Sequence, residues 1–168
     1  MKRTTRAGFT LIEATMGSIV VAVLLGAGLT AVTQATKARK ITENRAFAQA
    51  FAQQIIEEIA SKAYVDPQES SPPLGLDPGE VASNRESYDD CDDYASLEMR
   101  PISLETGGAI SDATWSAKVR VYWVQASDFS VTRTSETGLK CVEVGIYKNG
   151  VRLLETKALR SSAWEYMQ

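Results

Sequence analysis

Between Phe9 and Val32 the only ionisable side chain is that of Glu13, and from Ala14 to Val32 there is none. About 20 apolar residues rising 1.5 Å each as a helix cover the roughly 30 Å hydrocarbon core of a bilayer, so this run can span a membrane. Lys2, Arg3 and Arg6 precede it, and no small-x-small cleavage pattern follows it. By the positive-inside rule this predicts a cytoplasmic N-terminus and an extracytoplasmic remainder.

That remainder is the larger part of 168 residues, a length that suits one domain with a modest core. Its two cysteines, Cys91 and Cys141, fall where oxidising conditions favour pairing, and a disulfide between them is expected. Such a bond would close a loop of about 50 residues and stabilise by roughly 4 kcal/mol in the chain-entropy picture. The chain has no histidine, which removes the commonest general base and the commonest transition-metal ligand. A membrane-anchored hydrolase would have to rely on a Ser-Lys or carboxylate scheme, and no motif supports either. The expectation is a protein that is not an enzyme and that carries no cofactor.

Beyond the apolar run, a polar stretch from Gln34 to Lys40 leads into Phe47, Phe51, Ile55 and Ile59, one helix face repeating every four residues. Ala48, Ala52 and Ile56 widen that stripe, and no proline intervenes before Pro67. A single helix from about Phe9 to Tyr64 is predicted, its second half packing through the stripe. Pro67, Pro72, Pro73, Pro78, Gly75 and Gly79 then mark a loop. A short strand is expected near Leu97 to Ile102. From Trp115 the pattern alternates, with Val119, Val121 and Trp123 on one face and Lys118, Arg120 and Tyr122 on the other. A second alternating run, Lys140 to Lys148, is joined to a third, Val151 to about Leu159, by Asn149-Gly150, the dipeptide favoured in type I′ hairpin turns. The fold class is therefore α+β, a long N-terminal helix packed on a C-terminal antiparallel sheet. The expected divisions are a leader over 1–8, a transmembrane half-helix over 9–34, an amphipathic half over 35–65, a loop-rich region over 66–114 and the sheet over 115–168.

Arg6-Ala7-Gly8-Phe9-Thr10-Leu11-Ile12-Glu13, running straight into the apolar span, resembles the start of type IV pilins and type II secretion pseudopilins. In that superfamily a basic leader ends in glycine, a prepilin peptidase cuts after it, and the new terminal residue is N-methylated. The resemblance implies cleavage between Gly8 and Phe9, with Glu13 as the assembly glutamate, fifth after the cut. A carboxylate in an apolar span costs about 2.5–3.5 kcal/mol or more without a partner. The resemblance supplies one, the α-ammonium of a neighbouring subunit. The bland reading of Glu13 is an interfacial residue that reaches water at the membrane edge. Many family members kink the span with a proline where this chain has Thr30, beside Gly26 and Gly28. That departure, with the elaborated loop region, points to a minor subunit.

The resemblance implies a minor pseudopilin of a type II secretion system, inserted in the bacterial inner membrane with its C-terminal domain in the periplasm. Its partners would be the prepilin peptidase, other pilin or pseudopilin subunits, the inner-membrane assembly platform and membrane lipid. The alternative within the class is a minor type IV pilin for pilus assembly, adhesion or DNA uptake. DNA binding calls for a basic surface, whereas the net charge of −3 becomes more negative once the leader is lost, so no nucleic-acid partner is expected. Asp89, Asp90, Asp92 and Asp93 crowd around Cys91, but their spacing lacks the glycine turn and terminal glutamate of an EF-hand loop. They are expected to form a solvated acidic loop and not a metal site. Trp115, Trp123 and Trp164 are expected to serve packing.

Overall fold

The computed structural model describes residues 8–65, 74–77 and 79–163. The basic residues of the leader, the prolines at 67, 72, 73 and 78, and Trp164 lie outside these. The described elements are one helix, α1 (Leu11–Ala60), a short 3-10 turn (Arg85–Ser87), and five strands: β1 (Glu98–Met99), β2 (Trp115–Gln125), β3 (Asp128–Arg133), β4 (Leu139–Lys148) and β5 (Val151–Ser161). The chain divides into two compact units, one ending at Glu43 and the other beginning at Asn44, so α1 contributes to both.

In the first unit the apolar side chains face outward without cover, among them Ile19, Leu24, Leu25 and Leu29. A helix apolar on all sides is stable in lipid or inside a larger assembly, and α1 is long and apolar enough here to cross a membrane.

In the second unit α1 packs on the sheet, but the buried face is rotated from the expected one. Ala48, Ala52, Ile55 and Ile59 are the buried positions, while Phe47 is half exposed and Phe51 only partly covered. The reason is steric. Alanines beneath the helix axis let its backbone approach the sheet closely, and the two phenylalanines then flank Trp115, with ring centroids 6.4 and 5.3 Å away in edge-on arrangements. Opposite them Ala117, Val119 and Val121 of β2 and Val142, Val144 and Ile146 of β4 complete the core.

The sheet is antiparallel, with strand order β1-β2-β4-β5 and β3 paired to the far end of β2. Its centre is the β2–β4 ladder, in register from Trp115 opposite Lys148 to Trp123 opposite Lys140. Asn149 and Gly150 join β4 to β5 with φ of 52° and 78°, the positive values that a two-residue turn of this hand requires. The expected strand near Leu97 to Ile102 is reduced to the two residues of β1. β3 carries no burial signal, since all six of its residues are exposed.

Candidate functional site

The segment that carries the resemblance lies at the start of α1. Gly8, Phe9 and Thr10 are not helical, and the helix begins at Leu11. What stops it there is a reciprocal set of bonds. The Thr10 backbone N–H donates to Glu13 Oε2 at 3.1 Å, and the Glu13 backbone N–H donates to the Thr10 hydroxyl oxygen at 3.3 Å. The Thr10 hydroxyl also donates to Glu13 Oε2, at 3.0 Å. This is a capping box, which satisfies two amide donors that the first helical turn leaves orphaned and sets a carboxylate where the helix dipole favours negative charge. Glu13 therefore has partners within its own chain. The Thr-x-x-Glu spacing at Thr10 to Glu13 is the sequence signal for the arrangement. The peptide bond between Gly8 and Phe9 consequently sits in exposed non-helical backbone. Among the described residues, a Cβ added at Gly8 would meet nothing within 4 Å, so their packing makes no demand for glycine at that position.

Along the apolar run the hydroxyls are satisfied internally. Ser18 donates to the Ala14 carbonyl at 2.8 Å and Thr30 to the Gly26 carbonyl at 2.9 Å, while Thr15 donates to the Ile12 carbonyl at 3.0 Å. None of these groups needs water, which suits a helix whose surroundings offer no hydrogen bonds. The helix runs unbroken through Gly26, Gly28 and Thr30.

The expected disulfide is not formed. Cys91 and Cys141 are both free and both buried. The two-residue period of β4 explains why. Val142, Val144 and Ile146 point to the core beneath α1, so Cys141 points to the opposite face, where it lies against Tyr122. Cys91 belongs to the core cluster, and its Sγ donates to the Tyr64 carbonyl at 3.5 Å. The sheet stands between the two sulfurs. Burial pushes the Cys91 thiol up to about 12, far from thiolate chemistry.

The acidic loop also departs from expectation. Asp90, Asp92 and Asp93 are at most 3% exposed, and only Asp89 faces solvent. Their oxygens are occupied by the loop's own backbone and by one lysine. Asp90 Oδ1 accepts from the Asp92 N–H at 2.7 Å, Asp93 Oδ2 accepts from the Asp89 and Asp90 N–H groups at 3.0 and 3.1 Å, and Asp92 Oδ1 accepts from Lys140 Nζ at 2.5 Å. Lys140 lies on the core-facing side of β4, and its cation draws the loop inward. Glu80, Asp89 and Asp93 bring carboxylate oxygens within 4.8 Å of one another.

Burial, with a hydrogen bond to Asp92 and its charge, raises the Asp90 carboxyl to about 7; burial, with a hydrogen bond to Glu80, raises Asp93 to about 8. Both then hold protons in the folded state that the unfolded chain releases near pH 4. Their contribution to stability is complete below that value and is lost as the pH rises through about 7 and 8. Thermal unfolding of the second unit is thus expected to occur about 5 °C or more higher at about pH 5.5 than at about pH 8.5. Asp90→Asn and Asp93→Asn should each flatten the dependence, as differential scanning calorimetry would detect.

No family model, curated protein or solved structure matches the chain. What the coordinates define is an architectural class: a long N-terminal helix, apolar in its first part and packed in its second on an antiparallel sheet, a pilin-like arrangement.

Proposed function

We propose that this chain is a minor pseudopilin of a type II secretion system, a structural subunit cut after Gly8 by a prepilin peptidase and assembled through α1 into a periplasmic filament. The observation that carries the reading is the order of residues at the head of α1. A glycine in exposed non-helical backbone is followed by Phe9, a capped helix start, and one carboxylate at the edge of an otherwise uncharged span. The uncovered apolar surface of the first unit supports it, because lipid and then neighbouring subunits would supply the missing cover. After cleavage the α-ammonium of Phe9 in one copy would meet Glu13 of the next. The Thr10 bonds hold that carboxylate in place until the neighbour arrives. The role is structural, a subunit that a peptidase processes and that turns over no substrate of its own.

The test is to co-express the chain with a prepilin peptidase and to read intact mass and N-terminal sequence. A mature terminus at Phe9 is expected, and Gly8→Val should retain the leader. Because a Cβ at Gly8 would touch none of the described residues, loss of cutting in that variant would report the peptidase's groove and not a damaged fold. A wild-type chain that keeps its leader would leave residues 9–34 a plain anchor and remove the filament reading.

A further inference from the structure

Lys140, Asp92 and Asp90 form a sealed cluster in the second unit that the filament reading does not use. Each is about 1% exposed. Lys140 Nζ is 2.5 Å from Asp92 Oδ1 and donates also to the Tyr64 carbonyl at 2.5 Å, so two bonds fix the direction of the amine. The Tyr64 ring closes the site on another side, 4.5 Å from Nζ. Asp90 binds the Asp92 N–H and shares a hydrogen bond with the Asp92 side chain. A nucleophilic nitrogen is thus held against a carboxyl group, beside a second carboxyl able to carry a proton, and away from bulk water.

We propose that Lys140 and Asp92 condense to an intramolecular isopeptide bond, with Asp90 as the proton carrier. The reaction begins from the ion pair. Burial pulls the Lys140 value down, but its acidic neighbours, Asp92 and Asp90 among them, outweigh burial and keep it above its usual range. Nζ must therefore first pass a proton across the 2.5 Å contact to Asp92, an uphill step that leaves a neutral amine against a neutral acid. The Nζ lone pair attacks Cγ of Asp92. Asp90 gives the proton it holds to the departing hydroxyl and takes one back from the nitrogen, the Cγ–O bond breaks, and one water leaves. An ammonium and a carboxylate become an amide and water, with no change of oxidation state and no external reactant. Holding the two groups in contact supplies the effective concentration that the same reaction lacks in solution. Expulsion of the water and burial of the product make the bond lasting. The cross-link would join residues 48 apart and fasten the acidic loop to β4 from the core side, which Cys141 cannot reach.

The experiment is intact-mass spectrometry of the full-length chain extracted in detergent, followed by tryptic mapping. The wild type is expected about 18 Da lighter than its sequence predicts, the mass of one water. It should also yield a branched peptide joining the segment of Asp92 to that of Lys140. Removal of a leader shifts the mass by a whole peptide, so processing and condensation are read separately. Lys140→Arg keeps a cation and loses the nucleophile, and it should return to full mass. Asp90→Asn should slow or stop the loss. Wild-type chain at full mass, with Asp92 and Lys140 recovered only in linear peptides, would overturn the proposal. So would an 18 Da deficit that persists in Lys140→Arg, because the water would then have been lost elsewhere.

Discussion

Replacing Arg85 by methionine is expected to destabilise the second unit by about 3–5 kcal/mol, the cost typical of breaking a buried ion pair from one side. Arg85 is 6% exposed, and its guanidinium grips Glu58 of α1 with two bonds, Nε to Oε1 at 2.8 Å and Nη2 to Oε2 at 3.1 Å. It also donates to the Ser103 carbonyl at 2.9 Å and to the Ser103 hydroxyl at 3.1 Å. One cation thus ties three segments together: the helix, the 3-10 turn and the stretch after β1. Removing it leaves the Glu58 carboxylate buried with the Tyr94 hydroxyl donating to it at 3.0 Å and no cation beside it among the described residues. Set against a total stability of about 5–15 kcal/mol for an ordinary domain, the loss is a large share. Urea unfolding followed through the near-ultraviolet signal of Trp115 would measure it. Arg85→Lys should fail to rescue, since an ammonium cannot span both carboxylate oxygens. Arg85→Met combined with Glu58→Met should recover much of the loss. If Arg85→Met alone unfolds at the wild-type midpoint, the guanidinium contributes little and apolar packing alone holds the loop.

On the filament reading proposed above, Glu13→Gln is expected to leave the helix intact and to lower filament yield at least roughly tenfold, because an unpaired charge at membrane depth would cost each added copy about 2.5–3.5 kcal/mol. The substitution separates two roles that an alanine would confuse. Glutamine at this position can still accept from the Thr10 N–H and so preserves the capping box, but it carries no charge for a neighbouring α-ammonium. Glu13→Ala loses both and should also fray the first turn, at a cost of about 1 kcal/mol. Circular dichroism of the detergent-solubilised chain reads helix content, and electron microscopy of sheared filaments reads assembly. Wild-type filament numbers from Glu13→Gln would assign Glu13 to helix capping alone.

Much of this architecture could be read from residue order, because its signals are local and strongly periodic. The absence of charge from Ala14 to Val32, the alternation in β2 and β4, and the positive-φ turn at Asn149-Gly150 each depend on neighbours in the chain. The rotated face of α1 was harder to see: a four-residue repeat of phenylalanine and isoleucine looks like the core stripe, and only the sheet shows that alanines take the centre. β3 carries no such signal because none of its side chains is buried, so Phe129 and Val131 leave no contrast between faces. The cysteines were misleading for a geometric reason. Their number and compartment favoured pairing, but strand parity put Cys141 on the wrong side of the sheet. Lys140, read as the first residue of a strand, gave no sign that a loop 48 residues earlier would bury Asp92 against it. Partners so far apart are set by the finished fold, beyond the reach of any local pattern.

β5 forms one end of the sheet, with eleven residues whose outer backbone edge faces away from β4. An open ladder of that length invites a stray strand to add itself. Here Arg152, Glu155, Lys157 and Arg160 interrupt the strand at close intervals, so any incoming chain must tolerate four charges of mixed sign. The edge therefore works as a fence. Any two copies brought together are discouraged from fusing sheet to sheet along it, and association is left to whichever surface of the molecule is not so guarded.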